Sequence, residues 1–277
     1  MNAGVKTVSL VLGSGGARGY AHIGAIEELL AQGYDIRSVA GASMGALIGG
    51  VYASGKLDTY RDWVRGLQRF DVLRLLDWTF RGGLIKGDRI IGRLRELIGE
   101  VMIEDLPIPY TAVAVDLFAQ REVWFTRGPL FDAIRASIAI PTVLRPHHYE
   151  GRVLVDGGLL NPVPITPTLR DLTDCTIAVD LNAAPDDADS AATPDANTDP
   201  GMLETFARSL DAVQATLTRF KLAAQPPDLV VSIPRSAGAF YEFHRADGLI
   251  ELGRARTRAA LAQWRKQLSA EGVPEVS

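Results

Sequence analysis

Three short stretches carry the residues of this chain that suit chemistry: GSGGARG at 13–19, GASMG at 41–45 and DGG at 156–158. A serine between glycines on a sharp strand-to-helix turn has an exposed Oγ and a constrained backbone, the build of a nucleophile elbow. The same geometry serves a serine that merely caps the helix, so Ser43, flanked by Gly41 and Gly45, is a candidate for either role. A glycine-rich strand-to-helix turn exposes backbone N–H groups at the positive end of a helix, and 13–19 therefore suits anionic oxygen. Two uses compete there: cradling a nucleotide phosphate, or stabilising the oxyanion of an acyl-transfer intermediate. Gly13, Gly15 and Gly19 give a GxGxxxG spacing, with Asp35 about twenty residues on as a ribose-binding acid would be, whereas no Lys completes a P-loop. Asp156 ends an apolar strand, where Gly157 and Gly158 keep the approach to its carboxylate open; the plainer reading is an Asx turn.

A serine hydroxyl needs a base. His22, His147, His148 and His244 are available, and Ser43, Asp156 and His244 follow the nucleophile, acid, histidine order of the α/β-hydrolases. In that fold several strands precede the nucleophile, whereas only about forty residues precede Ser43. This spacing argues against the α/β-hydrolase arrangement.

The motifs need strands and helices to position them. TVSLVL at 7–12 is a continuous β-rich apolar run, the pattern of a strand buried on both faces of a parallel sheet. AHIGAIEELLAQG has apolar residues at helical spacing and stops at Gly33. A short strand over 36–40, the GASMG turn and a small-residue helix to Gly55 follow. Two successive strand-then-helix units predict an α/β fold with a parallel sheet.

Residues 57–104 read as mostly helical, and their apolar positions Trp63, Leu67, Phe70, Leu73, Leu75, Leu76, Trp78 and Phe80 suit an acyl-chain groove, a lipid contact or plain packing on the sheet. YTAVAVDLF and REVWF read as adjacent strands, GRVLVDGG and TIAVDLN as two more, and PDLVVSI as another. Residues 183–200 are poor in apolar side chains and rich in Asp, Pro and Ala, hence a mobile low-complexity loop. Helices are expected over 201–224 and 245–270, and residues 1–277 are expected to form a single catalytic domain without internal repeats.

Composition narrows the function. With 47% hydrophobic and 22% charged residues the chain is an ordinary globular one. A net charge of -4 and no basic run give no footprint for nucleic acid. Cys175 is the only cysteine, so no internal disulfide forms, and its strand-like surroundings suggest a core residue in a reducing compartment. The short N-terminal apolar run lacks a basic n-region and reads as no signal peptide. The uncharged span between Arg37 and Lys56 approaches transmembrane length, but its glycines and polar centre suit a buried strand, turn and helix better. A cytoplasmic protein, at most peripheral at a membrane, is expected.

GSGGARG, GASMG and DGG, in this order and at these separations, resemble the patatin-like phospholipase family, in particular its small stand-alone bacterial members. The similarity extends through HIG after the first loop, SIAIPTVLRP before Asp156, NPVP after it and FHRADGLIELG near the C-terminus. It implies a three-layer α/β sandwich, with a central, mostly parallel β-sheet flanked by helices. It also implies a serine acyl hydrolase, acting on lipid carboxylic esters through an acyl-enzyme, with Ser43 as nucleophile and Asp156 as its base. Gly15, Gly16 and Ala17 would supply the oxyanion hole and Arg18 would hold that loop; neither metal nor cofactor is implied. Two residues depart from the family pattern: Ser14 interrupts the usual glycine run, and Thr142 stands where glycine commonly follows the proline. A catalytically silent lipid-binding protein on the same scaffold, and an NADP-dependent oxidoreductase using the first loop, are the alternative functions.

Overall fold

Strand β1 (Thr7–Leu12) pairs in parallel with β2 (Asp35–Ala42) on one side and β7 (Cys175–Ala183) on the other. β3 (Tyr110–Asp116) extends the sheet beyond β2, and β8 (Leu229–Pro234) extends it beyond β7, both in parallel. Three short strands run antiparallel: β4 (Arg121–Phe125) and β6 (Arg152–Asp156) on β3, and β5 (His147–Tyr149) on β6. The sheet is mixed and mostly parallel, and helices flank it. This computed structural model describes residues 6–75, 77, 85–185 and 201–270. Residues 186–200, Leu76, Trp78, Phe80 and the side chain of Leu73 lie outside the described residues.

The register on β3 decides where the site forms. β4 pairs with residues 112–116, overlapping the partners of both β2 (110–113) and β6 (114–116), so it must occupy the opposite edge from each. β2 and β6 therefore share one edge of β3 and run toward each other. Ala42 lies opposite Val113 and Asp156 opposite Ala114, so the carboxyl ends of the two strands meet head to head.

Strand side chains alternate between faces, and both faces of the sheet are covered. Leu10, Leu12, Ile177 and Val179 belong to the main core, which includes α1 (Ala21–Ala31), α2 (Met44–Ala53), α6 (Leu130–Ser137) and α8 (Ala246–Ala270). Val11 and Ala178 point the other way into a smaller cluster with Val163 and Ile165, against which Leu222 of α7 (Met202–Ala224) packs. This is why β1 reads as an uninterrupted apolar run. On the main face α1 and α8 touch backbone to backbone: a Cβ on Gly24 would lie 1.9 Å from Ile250 O, and one on Gly253 would lie 2.0 Å from Ala21 O. The helical region contains α3 (Leu57–Arg65), α4 (Arg69–Leu75) and α5 (Asp88–Ile98). Cys175 is a buried core thiol, pushed up to about 11 by burial. Among the described residues no helix is long and apolar enough to cross a membrane.

Candidate active site

The GASMG turn is a strained elbow. β2 ends at Ala42, α2 begins at Met44, and Ser43 between them has φ 55° and ψ -125°, a conformation that costs a residue with a side chain roughly 1–3 kcal/mol. Its glycines are steric necessities: a Cβ on Gly45 would lie 2.0 Å from Leu12 O, and one on Gly41 would lie 2.3 Å from Gly45 O. Ser43 makes no side-chain capping hydrogen bond, so it is not the helix cap that the turn alone allowed. Its backbone N–H donates to Ser137 Oγ at 2.9 Å, and Ser137 in turn donates to Val113 O at 2.6 Å. Ser137, at the end of α6, thus pins the elbow to β3. Ser137→Ala would leave both buried groups without this partner, and we expect a loss of roughly 1–3 kcal/mol in urea unfolding with an unchanged m value.

Asp156 meets the elbow from β6. The Ser43 hydroxyl donates to Asp156 Oδ2 at 2.6 Å, and the Gly158 N–H donates to Oδ1 at 2.7 Å. The Asx-type capping read from the sequence is therefore real, and it employs only one of the two carboxylate oxygens. Burial raises the Asp156 carboxyl to about 7, although its bonds to Ser43 and Gly158 pull it down. No cation pairs with it among the described residues.

The glycine loop lies beside the elbow, close enough that a Cβ on Gly19 would lie 2.4 Å from Met44 Cβ. Gly13 N–H donates to Val179 O and Ser14 N–H to Pro162 O. Among the described residues the N–H groups of Gly15 and Gly16 have no acceptor, and both residues line the cavity at Ser43. Ala17 differs from expectation: its N–H donates to Phe240 O at 2.8 Å and is not available to a ligand. Arg18 is buried and binds Asp211 Oδ1 on α7 at 2.9 Å and Gly238 O at 3.2 Å, tying the loop to two other segments. Asn182, at the end of β7, donates to Ser14 O at 3.1 Å.

Other candidates fall away. Asp35 opens β2, opposite Thr7, whereas the glycine loop follows Leu12 at the other end of β1; about 17 Å of strand separates them. A ribose-binding acid belongs at the loop's end of the sheet, so the dinucleotide arrangement is not formed. His22 is buried with Nε2 on Gly13 O at 2.8 Å, and burial lowers it to about 4. His147 bonds Asp132 at 3.0 Å, and none of the four histidines lines the cavities at Ser43.

A cavity of about 1080 Å³ opens at Ser43 and runs between the helices. Trp63, Leu67 and Leu75 line it, as the sequence suggested for an acyl groove, together with Ile85, Ile90 and Leu94. Phe70 does not; it is 74% exposed. Thr142 also lines this cavity, with φ 67°, the left-handed backbone that glycine adopts without strain. Thr142 thus holds a backbone that glycine would adopt more freely, and it adds a side chain to the wall.

A flanked α/β sheet that carries a serine elbow at the mouth of a large apolar cavity defines, as a class, an α/β lipid hydrolase. The chain belongs to the patatin-like phospholipase family, whose model matches residues 10–169. An NTE family protein of Mycobacterium tuberculosis is 38% identical over 327 aligned positions, covering 92% of this chain and 91% of the relative. The neuropathy target esterase of Drosophila persimilis is 34% identical over 167 positions, covering 57% of this chain and 12% of that much longer protein. The crystal structure of VipD from Legionella pneumophila superposes with a TM-score of 0.48 at 14% identity, covering 93% of this chain and 67% of VipD.

Proposed function

We propose that the protein is a serine acyl hydrolase that cleaves long-chain carboxylic esters of lipids with a Ser43–Asp156 dyad. The observation that carries this is the 2.6 Å bond from a strained, cavity-facing serine hydroxyl to a buried carboxylate that meets no competing cation among the described residues. Ser43 Oγ attacks the ester carbonyl as its proton passes to Asp156. The Gly15 and Gly16 N–H groups stabilise the oxyanion, and Arg18 keeps the loop in place through Asp211 and Gly238. Collapse expels the alcohol, which takes the proton from Asp156, and leaves the acyl group on Ser43. The acyl chain occupies the large apolar cavity, where each methylene removed from water contributes about 0.8 kcal/mol. Lipid presented at a membrane surface needs only transient contact there, and the esterase named among the relatives supports the ester chemistry.

A fluorophosphonate probe tests the assignment. The wild type is expected to label stoichiometrically and Ser43→Ala not at all; equal labelling of both removes Ser43 from the mechanism. With nitrophenyl esters of increasing length, kcat/KM is expected to climb by about fourfold per added methylene until the cavity is full. A flat series contradicts the acyl-cavity assignment.

A further inference from the structure

Helix α7 brings a second polar side chain to the dyad. Gln214 is buried, and its Oε1 accepts the Ser14 hydroxyl at 3.2 Å. That bond fixes the carboxamide's direction and leaves Nε2 as the free end. Among the described residues Nε2 meets no acceptor, and Gln214 lines a small cavity at Ser43. A Cβ on Gly158 would lie 2.7 Å from Nε2, so the amide sits over the turn that carries Asp156.

The cavity that Gln214 lines adjoins the large one, with Gly16, Ser43, Ile140 and Asp211 common to both. It measures about 30 Å³, and its polar lining is Gly15, Gly16, Ser43, Asp156, Gln214 and Asp211, the last of these held by Arg18, with apolar walls around them. A single water needs on the order of 10–15 Å³ and two or more polar partners. Here a carboxylate acceptor and an amide donor face one water-sized space beside the serine. A space of this size suits the second substrate of a hydrolase, water.

We propose that Gln214 and Asp156 hold the water that hydrolyses the acyl-enzyme, with Gln214 as the positioning residue and Ser14 as the group that orients it. This rests on the Ser43–Asp156 reading above. After the alcohol has left, Asp156 is again a carboxylate. Nε2–H donates to the water oxygen, one water proton passes to Asp156, and the oxygen bonds to the acyl carbonyl carbon. The tetrahedral oxyanion returns to the Gly15 and Gly16 N–H groups. The bond from carbon to Ser43 Oγ then breaks, Oγ takes the proton back from Asp156, and the free carboxylic acid leaves. Ser14 thereby gains a role that glycine could not fill in the loop.

The test is stopped-flow hydrolysis of 4-nitrophenyl butyrate, with fluorophosphonate labelling run in parallel. Gln214→Met keeps the shape and removes the donor; Ser14→Gly removes the orienting hydroxyl and leaves Gln214 in place. For Gln214→Met we expect kcat to fall on the order of 10–100-fold and KM to fall with it. Labelling rate and kcat/KM, which report acylation, should stay within about twofold, and a nitrophenolate burst approaching one per enzyme should appear. Ser14→Gly should show the same split, less strongly. A parallel fall of kcat, kcat/KM and labelling in Gln214→Met would place Gln214 in acylation or in folding and overturn the proposal, as would an unchanged kcat in both variants. Failure of the wild type itself to label at Ser43 would instead sink the underlying dyad.

Discussion

Asp156→Asn is expected to lose ester hydrolysis by a factor on the order of 10³–10⁴ and, at the same time, to become more stable than the wild type above neutral pH. The first effect follows from removing the base while keeping its shape, since an asparagine can still accept from Gly158 N–H. The second follows from burial. Asp156 holds its proton up to about pH 7 in the folded state, whereas the ordinary carboxyl of 3.8 is already ionised in the unfolded chain. Between these values the folded state binds more protons, so stability is fully present at the acid end and declines as pH rises toward 7. Three units correspond to about 4 kcal/mol in order of magnitude. The urea midpoint of Asp156→Asn minus that of the wild type should therefore grow from pH 4 to pH 7, because groups such as His22, lowered to about 4 and stabilising increasingly as pH rises, act alike in both proteins. Activity has the opposite trend, because only the ionised carboxylate accepts the serine proton: kcat/KM should rise with pH through an apparent pKa near 7. Equal pH slopes of stability in the two proteins would remove the buried carboxyl as their cause.

Ser43→Gly is the second large effect. It deletes the proposed nucleophile and should abolish labelling, yet it also relieves the φ 55°, ψ -125° strain at the elbow. Ser43→Ala deletes the same hydroxyl and keeps the strain. We expect the glycine variant to be more stable than the alanine variant by about 1–2 kcal/mol, or several degrees in Tm. An alanine variant as stable as the glycine one would show that the turn carries no strain. A gain on mutating a reacting group is the stability cost that active sites commonly hold.

Much of this was legible in the chain. The apolar stretches of β1 and β7 are legible because both faces of the central sheet are covered, so little alternation blurs them. GASMG announces its elbow because the backbone there tolerates no Cβ on either side of Ala42 to Met44. The short elements were harder to see: α6 has eight residues, too few to display a stripe, and β5 has three. The supporting polar residues were invisible for a different reason. Ser137 lies 94 positions from Ser43, and Gln214 lies 200 from Ser14, each on a helix with no local motif. Their roles arise from which elements the sheet brings together. Ala17 was misplaced for a similar reason, since Phe240, which captures its N–H, comes from the far end of the chain.

The head-to-head meeting of β2 and β6 on one edge of β3 has a kinetic side. Ser43 and Asp156 are 113 positions apart, and their alignment is set by the register of two strands on a third. A one-residue slip of β6 would move Asp156 by about 3.3 Å and turn its carboxylate to the other face. The elbow can form early from neighbours in sequence, but the dyad exists only once this long loop has closed in register. Recovery of probe labelling during refolding therefore times the closure of the sheet, a late event that helix content does not see.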